Sequence, residues 1–134
     1  MARKILFVCW GNICRSPMAE YILKSLNKDI ECESRAISNE EQYNDIYPPA
    51  KVCLRKHGIP FEKHYAKKIT QEDYEKFDEI YVMDELNMNS ILKIIDDHDH
   101  KIKYLINKDI EDPWWTGQYD KVYDEIYEGI LQIL

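Results

Sequence analysis

The chain has 134 residues, 45% hydrophobic and 32% charged, which suits one ordinary domain with a buried core and excludes wholesale disorder. Its formal charge of −7, with no block of basic residues, argues against nucleic acid or an anionic membrane surface as the main partner, because phosphate backbones are held by clustered Lys and Arg. No apolar run approaches the roughly 20 residues that span a bilayer, and the short apolar run at 5–9 is too brief for a secretory signal. Cys9, Cys14, Cys32 and Cys53 form no Cys-x-x-Cys pair and no zinc-finger spacing with His. The expectation is a cytoplasmic protein with reduced thiols, organised as a single domain over 1–134, with Cys32 and Cys53 in the core.

Residues 4–8, Lys4 followed by four apolar side chains, show the pattern of a strand buried on both faces. Pro17 opens a helical pattern through Met18, Tyr21, Ile22 and Leu26, a proline being well tolerated in a first turn. Residues 30–36 read as a second strand. Pro48 and Pro49 open a helix that closes at His57-Gly58, with Gly58 as its C-terminal stop. A third strand follows at 79–83, a helix at 86–95 and a fourth strand at 102–106. The last segment carries Tyr119, Val122, Tyr123, Ile126, Tyr127, Ile130 and Leu131, an i, i+3, i+4, i+7 stripe. Such alternation predicts an α/β fold, a parallel sheet with helices on both faces, which binds its ligands at the carboxyl ends of strands.

The loop at that place after the first strand is Cys9-Trp10-Gly11-Asn12-Ile13-Cys14-Arg15-Ser16-Pro17. Gly11 and Asn12 tolerate positive φ, which turns successive backbone N–H groups inward as an anion nest. The helix N-terminus behind them adds free N–H groups and a positive dipole end. Arg15 supplies a planar fork for two phosphate oxygens. Both features stabilise negative charge on a thiol at Cys9, and Ser16 can donate its hydroxyl to that sulfur. The arrangement describes a nucleophile aimed at a group with several anionic oxygens.

The run Val8-Cys9-x-Gly11-Asn12-Ile13-Cys14-Arg15-Ser16-Pro17 resembles the phosphate-binding loop of the low-molecular-weight protein tyrosine phosphatases. The resemblance continues through Ser34, Lys56-His57-Gly58-Ile59, His64-Tyr65-Ala66-Lys67-Lys68-Ile69, Phe77-Asp78, Met83-Asp84, Asn87 and Glu111-Asp112-Pro113-Trp114-Trp115. It implies a three-layer α/β/α fold with strand order 2-1-3-4 and hydrolysis of protein phosphotyrosine and small aryl phosphates. Cys9 would attack phosphorus, Arg15 and the loop amides would hold the equatorial oxygens, and Asp112 would serve as general acid and then base. The resemblance also implies that Asn12, Ser16, Ser34 and His64 support the loop through hydrogen bonds. Trp10, Trp114 and Trp115 would wall the cleft, and Cys14 would trap an oxidised Cys9 as a disulfide. Phosphotyrosine proteins or peptides are the implied partners and phosphate-like oxyanions the implied inhibitors; no metal or cofactor is called for.

The chain departs from the family pattern at 39–46, which lacks the aromatic and glycine that help form the cleft wall. Glu40 and Glu41 there would repel acidic peptides, and Tyr43 is a substitute wall. Lys67 replaces an arginine, and Trp114 and Trp115 replace tyrosines. Among rivals, an arsenate reductase on the same fold needs two further cysteines late in the chain, and none follows Cys53. A protein-arginine phosphatase has Thr where Ile13 stands. A non-catalytic anion-binding module would have lost the nucleophile or the acid. A Rossmann-type nucleotide binder would need a GxGxxG or GK[ST] signature, which is missing after the first strand.

Overall fold

The structure, a computed structural model, describes residues 3–134. Four strands, β1 (Lys4–Cys9), β2 (Glu31–Ala36), β3 (Glu79–Val82) and β4 (Ile102–Tyr104), form one parallel sheet in the order β2-β1-β3-β4. The helices are α1 (Arg15–Leu26), α2 (Pro48–Lys56), α3 (Gln71–Lys76), α4 (Glu85–Ile94), α5 (Pro113–Thr116) and α6 (Tyr119–Ile133).

The central position of β1 explains its unbroken apolar run. Phe7 lies between Ser34 of β2 and Tyr81 of β3, and Ile5, Leu6, Phe7 and Val8 have no exposed surface. Strand alternation sends them to opposite layers. Ile5, Phe7 and Cys9 join the core shared with α1, α2 and α6, through residues such as Met18, Leu54, Ile126 and Ile130. Leu6 and Val8 join Tyr74, Phe77 and Ile91 on the face covered by α3 and α4. The parity of β1 therefore carries the Cys9 side chain to the α1 layer, over the start of that helix.

The edge strand β2 is covered on one face only. Cys32, Ser34 and Ala36 are buried, whereas Glu31, Glu33 and Arg35 face outward, where Arg35 pairs with Glu33 and with Asp73. Several boundaries differ from the sequence reading. α1 begins at Arg15, two residues before Pro17, and proline is accommodated in that first turn because the N–H it lacks has no intrahelical partner there. α3 was unanticipated; its start is a capping box in which Thr70 accepts from Asp73 N and the Asp73 side chain accepts from Thr70 N. β4 ends at Tyr104 instead of 106, because Leu105 and Ile106 leave the strand to meet α6. A Cβ on Gly129 would stand 2.6 Å from Ile106 Cγ2 and 2.9 Å from Leu105 Cγ, so only glycine allows this approach. Gly58 ends α2 in the left-handed region, φ 72°, as its position predicted.

Candidate active site

Parallel strands bring the loops after β1, β3 and β4 to one edge of the sheet, and a cleft of about 570 Å³ opens there. At its floor is Cys9, 3% exposed. Its Sγ accepts from the backbone N–H groups of Asn12 (3.3 Å) and Ser16 (3.4 Å) and lies 3.0 Å from Ser16 Oγ.

The loop holds this shape because its carbonyl groups are drawn outward. Cys9 O accepts from Ile37 N, Trp10 O from Ser38 N, and Ile13 O from Tyr47 N, at 2.9–3.0 Å. Asn12 O accepts from His64 Nε2 at 2.7 Å. With these carbonyls satisfied from behind, the Asn12 and Ser16 amides are left to face the sulfur. Asn12 takes φ 59°, a conformation that Asn tolerates better than most residues. Its Nδ2 donates to Ser16 Oγ at 2.8 Å, and its Oδ1 accepts from Lys67 N at 3.2 Å. Gly11 was expected to share the positive φ but does not; a Cβ there would make only ordinary contacts with Glu41 and Ile13. The N-terminus of α1 has no side-chain cap among the described residues and no acidic residue in its first turn, so its positive end stays open to an anion.

Arg15 is 2% exposed. Its Nη1 donates to Asp84 Oδ2 (2.6 Å) and to Ile110 O (2.8 Å), leaving Nε and Nη2 as a fork toward the cleft; Nη2 lies 3.7 Å from Asp112 Oδ2. Burial works against its charge, but Cys9, Asp84 and Asp112 outweigh it and raise the guanidinium above its ordinary value. Asp84 performs two tasks from just beyond β3. Its Oδ1 caps α4 by accepting from Asn87 N at 2.7 Å, and its Oδ2 fixes Arg15. The site role of Asp84 was missed from sequence. An Asp three residues before Asn at a helix start reads only as a cap, and its partner lies 69 positions away.

Asp112 caps the short α5, its Oδ1 accepting from Trp114 N at 3.1 Å, with Pro113 in the first helical position. The other carboxylate oxygen faces Arg15 across the cleft. Trp10 and Trp114 line the two sides. Trp114 is half-exposed, meets Trp115 edge-on at 4.6 Å and lies 6.5 Å from Tyr47; Trp115 stands 79% exposed at the rim. Glu40 and Glu41 line the remaining side, with Glu40 accepting from Trp10 Nε1. Tyr43 is not the substitute wall, because its left-handed backbone, φ 69°, leaves it outside the cleft and 66% exposed. Leu86 and Asn87 of α4 also line the cleft; the resemblance included Asn87 without a site role, and Leu86 was read only as part of a helix.

His64 is buried, and loss of solvent lowers its pKa below the ordinary histidine value. At neutral pH this favours the uncharged ring, and because its partner is a carbonyl, Nε2 carries a proton. Ser34 corrects the sequence expectation: its hydroxyl donates to Glu20 Oε1 at 2.6 Å instead of reaching Asn12 or Ser16. Cys14, buried among the residues that line the cleft, has Tyr119 Oη at 3.8 Å; burial first, then the charge of Cys9, pushes its thiol up to about 12.

Over residues 4–134 the chain matches the family model described as low molecular weight phosphotyrosine protein phosphatase. It is 33% identical to the low molecular weight protein-tyrosine-phosphatase YfkJ of Bacillus subtilis, over 97% of this chain and 92% of that one. It is 34% identical to the Gallus gallus low molecular weight phosphotyrosine protein phosphatase, over 97% and 90%. The crystal structure of the low molecular weight protein tyrosine phosphatase from Streptococcus pyogenes superposes with a TM-score of 0.93 at 34% identity, over 98% and 91% of the two chains. Vibrio vulnificus Wzb, solved in complex with benzylphosphonate, superposes with a TM-score of 0.91 at 26% identity, over 98% and 97%.

Proposed function

This chain belongs to the low molecular weight phosphotyrosine protein phosphatase family, and on that premise we propose that it hydrolyses phosphotyrosine in proteins and peptides, and small aryl phosphates, through a phosphocysteine intermediate, acting as a single domain over 1–134. The observation that carries the reading is the setting of Cys9 Sγ, at the floor of a cleft, beneath the open end of α1, with two amides and a hydroxyl directed at it and the Arg15 fork beside it.

In the first step the Cys9 thiolate attacks phosphorus, a P–S bond forms and the P–O bond to the aryl group breaks. Asp112, protonated, gives its proton to the departing phenolate oxygen. In the second step Asp112 takes a proton from water, the water oxygen attacks phosphorus, and the P–S bond breaks to return the thiolate and release phosphate. Arg15 and the inward amides bind the equatorial oxygens as charge develops on them, and because Asp84 holds Nη1 in place, the fork needs no reorganisation. Trp10 and Trp114 form an apolar slot that suits a phenyl ring, with Trp115 at its mouth. Asn12, Ser16 and His64 keep the loop in its anion-binding shape. Benzylphosphonate in the Vibrio relative pairs a benzyl ring with a phosphonate, the same combination of shapes. Phosphate and vanadate are the inhibitors expected of such a loop.

Cys14, held protonated, takes no part in phosphoryl transfer and is assigned instead to oxidation, in which a sulfenic acid on Cys9 condenses with the Cys14 thiol to a disulfide and water. Four free cysteines suit the reducing cytoplasm, and no helix among the described residues is long and apolar enough to cross a membrane. The reading is tested with p-nitrophenyl phosphate and with paired phosphotyrosine and phosphoarginine peptides at mildly acidic pH in EDTA. Cys9→Ser should lose turnover by orders of magnitude while still binding phosphate. Turnover retained in Cys9→Ser, or a wild type that cleaves only phosphoarginine, refutes it.

A further inference from the structure

On the sheet face that carries α1, α2 and α6, away from the residues assigned to chemistry, three side chains of different kinds converge where α2 meets the start of α6. Cys53 and His57 lie one helical turn apart, which puts them on the same side of α2 and its C-terminal cap. Asp120, in the first turn of α6, faces them. The thiol sulfur, an imidazole nitrogen and a carboxylate oxygen all lie within 4.8 Å of one another.

We propose that Cys53, His57 and Asp120 form a binding site for one zinc ion, a site separate from the phosphate cleft and independent of the function proposed above. Zinc prefers thiolate, imidazole and carboxylate ligands at about 2.3, 2.0 and 2.0–2.2 Å, so a tetrahedral site needs S···O and N···O edges of roughly 3.5 and 3.3 Å. The corresponding distances are 3.9 Å from Cys53 Sγ to Asp120 Oδ1 and 3.4 Å from His57 Nε2 to the same oxygen. The third edge, from the sulfur to the imidazole, is bounded at 4.8 Å, so the sulfur must close toward both partners to complete three corners, and water takes the fourth.

The surroundings already orient the ligands. The His57 ring is stacked flat on Tyr123, 3.7 Å between centroids and 8° between planes, which fixes the direction of Nε2. Lys56 Nζ donates to Asp120 Oδ2 at 2.8 Å, so the oxygen turned toward the cluster is Oδ1. The sulfur is buried, whereas the Asp120 side chain is 57% exposed and that of His57 27%, giving an ion an entrance from solvent. On binding, the Cys53 thiol gives its proton to solvent and the metal–sulfur bond forms; no electron is transferred. A second cluster, Glu75, His98 and Asp99, lacks a thiolate and is exposed throughout, so it is the poorer zinc site. A bound ion would tie α2 to α6, the helix that follows the segment carrying Asp112 and whose Tyr119 hydroxyl lies beside Cys14.

The test uses the full chain as Cys9→Ser, so that the cleft thiol is not a ligand, with Co²⁺ as the spectroscopic probe. The expected result is one equivalent of Co²⁺ giving a near-ultraviolet thiolate-to-cobalt band with tetrahedral visible absorption, abolished by added Zn²⁺. Adding Cys53→Ala should remove the band, and adding His57→Gln or Asp120→Asn should weaken binding by more than about tenfold. Zn²⁺ should also raise the Tm of Cys9→Ser but not of its Asp120→Asn derivative. A missing band at millimolar Co²⁺, or a band that survives Cys53→Ala, overturns the proposal. If Cys53→Ala fails to fold, unchanged binding in both His57→Gln and Asp120→Asn, two accessible positions, overturns it equally.

Discussion

Replacing Asp84 separates two tasks that one carboxylate performs. Its Oδ2 lies 2.6 Å from Arg15 Nη1, with side chains 16% and 3% exposed, so the pair sits largely out of water. At an effective dielectric of about 20 the attraction at that distance is of the order of 6 kcal/mol, most of which desolvation offsets, whereas deleting one partner of a buried pair costs about 3–5 kcal/mol because the other charge is left uncompensated. Arg15 keeps Ile110 O and the nearby Asp112 carboxylate, so Asp84→Asn belongs at the low end, about 3 kcal/mol. Asparagine still caps α4 through its Oδ1, whereas Asp84→Ala also loses the bond from Asn87 N, adding about 1 kcal/mol. Urea unfolding followed by tryptophan fluorescence would give both values from midpoints at constant slope. Saturating phosphate should restore more stability to Asp84→Asn than it adds to the wild type, because a bound anion again neutralises Arg15. An Asp84→Asn protein within about 0.5 kcal/mol of the wild type, or equal losses in the two variants, would refute the reasoning.

Asp112→Ala should slow hydrolysis of phenyl phosphate far more than that of p-nitrophenyl phosphate, whose leaving group needs little protonation; kcat for the two substrates, compared with the wild type, checks this, and equal losses would remove Asp112 from the acid role. His64 sits below its ordinary pKa, so the unfolded chain takes up the proton first. The stability this contributes is complete above about pH 6.5 and is lost as pH falls from there toward the folded-state value. His64→Gln can still donate to Asn12 O and should lack that loss. Urea midpoints measured from about pH 7.5 to about pH 5 should converge toward the variant's, and parallel profiles would contradict the assignment. Gly129→Ala gains about 1 kcal/mol of helix propensity but forces a methyl group against Ile106 and Leu105, a strain of about 1–3 kcal/mol. A net loss of stability is expected, and a Tm at or above the wild type would show that these side chains yield freely.

Local pattern carried much of the molecule. The apolar run of β1, the Cys-x5-Arg-Ser loop feeding a helix, the prolines and Gly58 that bound α2, and the stripe of α6 are each written within a few turns of chain, because helix and strand periods and turn chemistry act over short distances. Asp112 was legible mainly through the family resemblance of Glu111–Trp115, because an Asp before Pro alone reads as a turn residue; that it caps the short α5 appears only in the structure. The α2–α6 cluster was not read from sequence, where Cys53 was assigned to the core; Asp120 joins Cys53 and His57 only when α6 packs on α2. Of the partners that complete the cleft, His64 on Asn12, 52 positions away, was anticipated only through the family resemblance, and Glu40 and Glu41 only as part of the wall segment that departs from the family pattern. Asp84, which meets Arg15 across 69 positions, and the turn of Ser34 to Glu20 were not legible. Such contacts depend on which strand ends are neighbours and in what register. The chain alone names the candidate nucleophile and its loop; the parallel sheet, by bringing separate loops to one edge, decides which charges hold them in place.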